Sequence, residues 1–255
     1  MPDHRSKPRR SLLLATALLP CSLLTACEDG GSDGEEANAD LHPAFAEFDQ
    51  DNTDISQSGS EVLIETNGLP NHTSPYWSPS HPLYTEPTVA SGLAPGFIDD
   101  FSGSYSLRVS ASPQRASSTT ATGLGAIGIA VSGSVIYNDQ EGPNVPLDDA
   151  ATSLDYSGAH TGPMSYHYHL EPTAWSTDDD ALIGIIADGF FLYGRRCADG
   201  EYPTDLDASG GHTCPTIHNE EGEYHYHIQN ERYLDTYYIL FPGDYQGTPN
   251  NIEAG

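Results

Sequence analysis

The feature that most constrains this chain is a motif that it carries twice. One copy runs Asp155-Tyr156-Ser157-Gly158-Ala159-His160-Thr161-Gly162-Pro163 and, two residues later, Tyr166-His167-Tyr168-His169. The other runs Asp207-Ala208-Ser209-Gly210-Gly211-His212-Thr213-Cys214-Pro215 and, eight residues later, Tyr224-His225-Tyr226-His227. The Asp, Ser-Gly, His-Thr and Pro positions recur at a constant offset of 52, and the second copy then inserts six extra residues. Two copies of one unit point to a pseudo-twofold arrangement, since a solenoid needs at least three. Six of the seven histidines beyond residue 100 belong to the repeat, His218 being the exception.

Tyr-His-Tyr-His has a period of two. On a strand, both histidines of a copy face one side and both tyrosines the other. Imidazoles two residues apart stand roughly 6.5–7 Å from each other at the backbone, close enough to share one ion. A third histidine from a Gly-flanked turn completes a three-imidazole set with an open position, as zinc, copper and iron sites use. The expected ligands are His160, His167 and His169 in the first copy, and His212, His225 and His227 in the second. Imidazole-only ligation favours copper or zinc. The competing expectation is a buried network of Tyr and His hydrogen bonds. Spacing leaves open whether the copies build two sites or pool their ligands in one. The four motif tyrosines are expected in the core, with their hydroxyls partnered.

From Glu61 onward, short apolar runs are bounded by Gly, Pro, Asn and Asp. They are Val62–Ile64, Tyr105–Val109, Ile127–Val131, Ser134–Tyr137, Leu182–Ala187 and Tyr237–Phe241. No segment keeps a helical period over three turns, so the expected class is mostly β, with residues 61–255 as one β-rich domain holding the duplicated motif. Residues 27–60 are acidic and rich in Gly and Ser, which predicts a disordered linker. Residues 110–122 read as a surface loop. Asp178-Asp179-Asp180 reads as a turn, with calcium binding through its oxygens as the less favoured alternative.

Residues 1–26 have a basic start (Arg5, Lys7, Arg9, Arg10), an apolar stretch from Leu12 to Leu24, and the ending Leu24-Thr25-Ala26 before Cys27. That is the build of a lipoprotein signal peptide, too short to span a bilayer stably. It predicts export, lipidation at Cys27, and a cell-envelope protein whose membrane contact is that lipid anchor. Arg9-Arg10-Ser11-Leu12-Leu13 also resembles a twin-arginine signal, the route for chains exported already folded. Removing residues 1–26 leaves five basic against 36 acidic residues, a formal charge of −31 with no lysine. Such a polyanion excludes nucleic acid as a partner. Cys21 falls in the signal and Cys27 takes the lipid, so Cys197 and Cys214 are expected to pair as a disulfide in an oxidising compartment, which leaves histidine and not cysteine as the metal ligand.

These motifs resemble the YHYH-domain family, named for Tyr166–His169 and Tyr224–His227. The resemblance covers roughly residues 62–245 and extends to Asn67-Gly68-Leu69-Pro70-Asn71-His72 and to Val131 through Asn138. It also takes in Ala187-Asp188-Gly189-Phe190-Phe191-Leu192-Tyr193-Gly194, similar to the family's Asp-Gly-Phe-Pro-Ile-Tyr-Gly segment with Phe191-Leu192 at the Pro-Ile positions. It implies a secreted β-rich domain with the histidines as its functional residues, and names no reaction. Asp188, at a strand end, is expected to orient a ligand histidine or join the coordination. His72 is a further candidate ligand. Arg195 and Arg196 are expected to pair neighbouring acids. The functional expectation is an exported, lipid-anchored transition-metal binder. A metal-dependent hydrolase or oxidoreductase of unnamed substrate and a structural or adhesive lipoprotein are the alternatives, so whether the chain is an enzyme is left open.

Overall fold

The computed structural model describes residues 41–255, apart from 89–91, 102 and 163–164. The expected signal peptide and Cys27 lie outside the described residues. The strands in chain order are β1 Thr53–Ser58, β2 Glu61–Thr66, β3 Tyr105–Ser110, β4 Gly128–Ala130, β5 Val135–Ile136, β6 Gln140–Gly142 and β7 Val145–Pro146. They continue with β8 Ala159–Thr161, β9 Tyr166–Tyr168, β10 Leu182–Ile186, β11 Phe191–Tyr193, β12 Gly211–Thr216, β13 Asn219–His227 and β14 Ile252–Ala254. Helical structure among the described residues consists of short 3-10 segments, Pro43–Glu47 and Ile98–Asp100. The fold is mostly β, as the alternating and short apolar runs require.

The central layer is an eight-stranded sheet in the order β12-β13-β11-β10-β4-β5-β9-β8. This order is a palindrome. Exchanging β4 with β10, β5 with β11, β8 with β12 and β9 with β13 returns the same sheet read backwards. The pairing directions agree too: β5 with β9 and β11 with β13 are parallel, and every other neighbour is antiparallel. Ile129 lies opposite Ile185 where β4 meets β10, and the pseudo-dyad passes between them. Val131 N–H donates to the Ile183 carbonyl (2.9 Å), and its mate Ala187 N–H donates to the Ile127 carbonyl (2.8 Å). The duplication therefore begins well before the histidine motif. Ile127–Asn138 and Ile183–Gly194 are the same hairpin, offset by 56, and the Gly133 and Gly189 turns both have positive φ.

Gly128 and Gly184 flank the dyad. A Cβ on Gly128 would stand 2.6 Å from the Ile185 carbonyl oxygen, and one on Gly184 would run into the Ile129 carbonyl. Glycine is needed there so that the two backbones can approach this closely. The second layer is an antiparallel sheet, β1-β2-β3-β14. Its Val62, Ile64, Leu107 and Val109 share one apolar core with Ile129, Ile185, Phe190 and the motif tyrosines. Thr66 Oγ1 donates to the Gly133 carbonyl at 2.5 Å, and Val109 packs over Gly189, so the small sheet holds the turns of both central hairpins.

Two expectations need correction. Of the predicted disordered linker, residues 41–60 are ordered: Pro43–Glu47 forms a 3-10 turn and Thr53–Ser58 forms β1. Ala44, Phe45 and Phe48 are buried, and Phe45 meets Phe191 edge-on at 5.1 Å. A few well-placed aromatic rings anchor the segment where average composition pointed to disorder. The Tyr237–Phe241 run forms single bridges (Tyr233 with Tyr237, Leu170 with Ile239) and no strand. Leu240 and Phe241 are buried there, and Phe241 meets Tyr226 edge-on at 4.8 Å. Arg195 and Arg196 pair a neighbouring acid as expected: Asp178 lies 3.2 Å from Arg195 and 2.8 Å from Arg196.

Replacing Gly184 with Ala is expected to cost about 1–3 kcal/mol, as overpacking of a tight interior does. Urea denaturation measures this. A loss below about 0.5 kcal/mol would mean that the two central strands do not meet as closely as described.

Candidate metal centres

Each half of the sheet carries a histidine cluster at its outer edge, assembled the same way. In the β8–β9 hairpin His160 lies directly opposite His167, and in β12–β13 His212 lies opposite His225. His169 and His227 follow two residues on, so all three imidazoles of a copy emerge on one face. The clusters are five strand positions apart, roughly 24 Å at the usual strand spacing. They are two sites, and the copies do not pool ligands.

The Asp-x-Ser-Gly turn sets the hairpin entry. Asp155 Oδ1 accepts from Ser157 N–H (2.8 Å), and Asp207 Oδ1 accepts from Ser209 N–H (3.0 Å). Gly158 (φ 71°) and Gly210 (φ 81°) then take the left-handed conformation that glycine alone adopts cheaply. On the opposite face the tyrosines stitch the core. Tyr166 and Tyr224 donate to Asp155 (2.7 Å) and Asp207 (2.8 Å). Tyr226 donates to Asp188 (2.6 Å), and Tyr168 bonds Ser132 (2.8 Å) and His72 (2.7 Å). Asp188 and His72 therefore support tyrosines, and neither belongs to an imidazole cluster, contrary to expectation. Both sit on the tyrosine side of the sheet, because strand alternation separates the two faces.

In the first cluster every imidazole is fastened through Nδ1. His160 Nδ1 donates to Ser153 Oγ (2.8 Å), whose own proton goes to the Ala150 carbonyl. His167 and His169 Nδ1 face the Ser165 (3.3 Å) and Asn138 (2.6 Å) carbonyls. A carbonyl can only accept, so these rings carry their proton on Nδ1 and turn a bare Nε2 lone pair inward. His160 and His167 Nε2 stand 3.1 Å apart. His169 Nε2 is buried and has no hydrogen-bond partner among the described residues. Glu141 Oε1 lies 3.4 Å from both His160 and His169 Nε2, and its side chain is 25% exposed. Lone pairs this close repel unless a proton or cation stands between them. Two nitrogens bound tetrahedrally to one zinc at about 2.0–2.1 Å would be roughly 3.3 Å apart.

The second cluster repeats this bonding. His212 Nδ1 meets Asp205 Oδ1 (2.7 Å), His225 Nδ1 the Glu223 carbonyl (2.9 Å) and His227 Nδ1 the Gly194 carbonyl (2.6 Å). His225 and His227 Nε2 are 2.9 Å apart. Asp205 stands where the first copy has Ser153, and Gly194 where it has Asn138. Both cysteines belong here, and both thiols are free, so the expected disulfide is not formed. Cys214 Sγ is 3.2 Å from His212 Nε2, and Cys197 Sγ is 3.8 Å from His212 Nε2 and 4.0 Å from His227 Nε2. Cys214 Sγ also lies 3.3 Å from the Pro215 carbonyl, and the two sulfurs are within 4.8 Å of each other. Ligand atoms of Cys197, His212, Cys214 and His227 lie within 4.8 Å of one another, as do those of His160, His167 and His169. Contrary to the expectation of histidine alone, both cysteines belong to a group that could hold a metal ion.

Glu141, and the place of the two free cysteines beside the imidazoles, escaped sequence reasoning. The signal was present: Glu141 and Cys197 are 56 residues apart, the offset of the central hairpins, and each follows its hairpin tyrosine by four positions.

Burial sets the electrostatics. Desolvation lowers His160 and His169 to about 4, with the neighbouring His169 adding to the effect on His160. It also holds His167 well below its ordinary value, reinforced by both neighbouring rings. In the second cluster His225 falls to about 4 and His227 to about 3, again mainly by desolvation. These imidazoles are neutral at neutral pH, the form that ligates metals. Burial raises the Cys197 thiol to about 12 and raises Cys214 as well.

A duplicated β-sheet domain with an inward-turned imidazole trio in each half is the class that fold and site define. The family profile described as YHYH protein matches residues 106–203, and over that segment the chain is similar to the YHYH family. The match runs from β3 to just past β11, so it includes the first cluster, whereas the second histidine trio lies beyond it. No curated protein and no solved structure matches the chain.

Unfolding exposes the buried imidazoles, which then take up protons below about pH 6.5. The folded chain resists protonation until about pH 4. Between these values the unfolded state binds more protons, so stability present above pH 6.5 is lost as pH falls. In chelator, each of His160, His169, His225 and His227 is expected to cost on the order of 1–2 kcal/mol at pH 5 relative to pH 7. Urea midpoints that stay constant from pH 7 to 5 would contradict this burial.

Proposed function

We propose that the chain is an exported, lipid-anchored transition-metal-binding protein that holds copper or zinc in its histidine clusters. The observation that carries this reading is the fastening of every motif imidazole through Nδ1, so that unprotonated Nε2 atoms converge. Hydrogen bonding from the second ring nitrogen is how proteins fix the tautomer and aim of metal-ligating histidines. A purely structural Tyr/His network is less favoured, because the tyrosines already satisfy themselves with Asp155, Asp188 and Asp207 on the other face. The signal-peptide grammar of residues 1–26 and Cys27 supports export and anchoring.

Glu141 favours a second reading, a metal-dependent hydrolase or oxidoreductase. A partly exposed carboxylate beside two imidazoles is placed to act as a general base next to a bound ion. Burial raises its carboxyl above the ordinary range, toward the value such a base needs. This reading names no substrate.

Elemental analysis of protein purified without a histidine tag and reconstituted with zinc or copper should approach two equivalents per chain. Less than about 0.2 equivalents would end the metal reading, given the affinities of structural sites. Replacing His167 and His169 together with Ala should remove roughly one of two equivalents while the far-ultraviolet circular dichroism is retained.

A further inference from the structure

Duplication produced two halves that keep the same three imidazoles, the same hairpin register and the same pattern of Nδ1 acceptors. The groups completing each cluster differ. Where the first half has Glu141, the second has Cys197, at the position four residues past the hairpin tyrosine in each case. Where the first has Gly162, the second has Cys214, 52 residues on. The cause of this second difference is visible in the strands. In the first copy Gly162 closes the turn between β8 and β9, its N–H donating to the Ser165 carbonyl (2.9 Å). In the second copy the six inserted residues lengthen the hairpin, and position 214 becomes a paired strand residue opposite Glu223. The extension supplies a side chain where the shorter hairpin has none.

Resting on the metal-binding reading above, we propose that the two clusters are inequivalent sites selecting different ions. The second, made by Cys197, Cys214, His212 and His227, is a mixed thiolate–imidazole site for a soft cation, with Cu(I) preferred. The first, made by His160, His167, His169 and Glu141, is an imidazole–carboxylate site for a borderline divalent ion. Ligand softness carries the assignment: thiolates select Cu(I) and zinc, whereas imidazole with carboxylate suits divalent first-row ions. The geometry agrees with it. Sulfur and nitrogen bound tetrahedrally to one ion at about 2.3 and 2.05 Å would stand roughly 3.5 Å apart. The sulfur–nitrogen distances in the second cluster, 3.2 to 4.0 Å, bracket that value. Neither thiol is committed to a disulfide. His225 lies beside the four, 2.9 Å from His227 Nε2, as an additional nitrogen donor.

The test uses the full chain without a histidine tag, reduced with a phosphine under anaerobic conditions. Titration with Co(II) should give two populations. One carries a near-ultraviolet sulfur-to-cobalt charge-transfer band that saturates at about one equivalent; the other lacks it. Cu(I), supplied from a chromophoric chelator, should displace the sulfur-bound cobalt alone. Replacing Cys197 and Cys214 with Ser should abolish the band and lower Cu(I) affinity more than about 100-fold, beyond the effect of losing a supporting contact. The single Cys214→Ser variant, at a position the first half fills with glycine, should already weaken Cu(I) binding with the circular dichroism unchanged. Cobalt bound at two equivalents without a sulfur band, or Cu(I) affinity indifferent to both cysteines, would overturn the inequivalence and leave the metal reading standing. No binding of either ion would remove the metal reading itself, and this inference with it.

Discussion

The structure depends on the antiparallel meeting of β4 and β10 across the pseudo-dyad. Two reciprocal hydrogen bonds, from Val131 N–H to the Ile183 carbonyl and from Ala187 N–H to the Ile127 carbonyl, join the halves. They do so through backbones brought close by Gly128 and Gly184. Because that junction is symmetric, whatever one half builds outward, the other builds in the opposite direction. The histidine hairpins therefore fall at the two ends of one sheet, too far apart to share an ion.

Strand alternation then divides the labour of the motif. The tyrosines point into the core, where Tyr166, Tyr224 and Tyr226 donate to Asp155, Asp207 and Asp188 and Tyr168 bonds Ser132 and His72, without help from the six clustered imidazoles. The imidazoles point the other way and are held through Nδ1 by four backbone carbonyls, the Ser153 hydroxyl and the Asp205 carboxylate, which leaves their second nitrogens bare. Buried, neutral and crowded, such a trio is poorly satisfied by itself. It is chemically poised for a cation in a way that a ring of mutually satisfied tyrosines is not. The two halves keep this geometry while the group beside it differs, Glu141 in one and Cys197 in the other. Backbone register is set by pairing and packing, whereas a single side chain at the rim is free to change.

Much of this was legible in the residues. Period-two alternation put Tyr and His on opposite faces, and the 52-residue offset announced a twofold relationship. The short apolar runs located β2, β3, β4, β5 and β10. The order of residues 41–60 was not legible, because Phe45 and Phe48 find partners such as Phe191 only after the chain has closed on itself. That Asp188 and His72 serve Tyr226 and Tyr168 was not legible for the same reason: those partners are far away in sequence.

The sequence by itself determined a mostly β chain with a duplicated unit and, through alternation, which residues of each unit share a face. Those properties are local, written in spacing and side-chain type. Tertiary structure alone decided that there are two clusters, that Glu141 lies beside one, and that Cys197 and Cys214 lie beside the imidazoles of the other. Distances between segments dozens of residues apart follow from sheet order and hairpin length, and no local pattern encodes either.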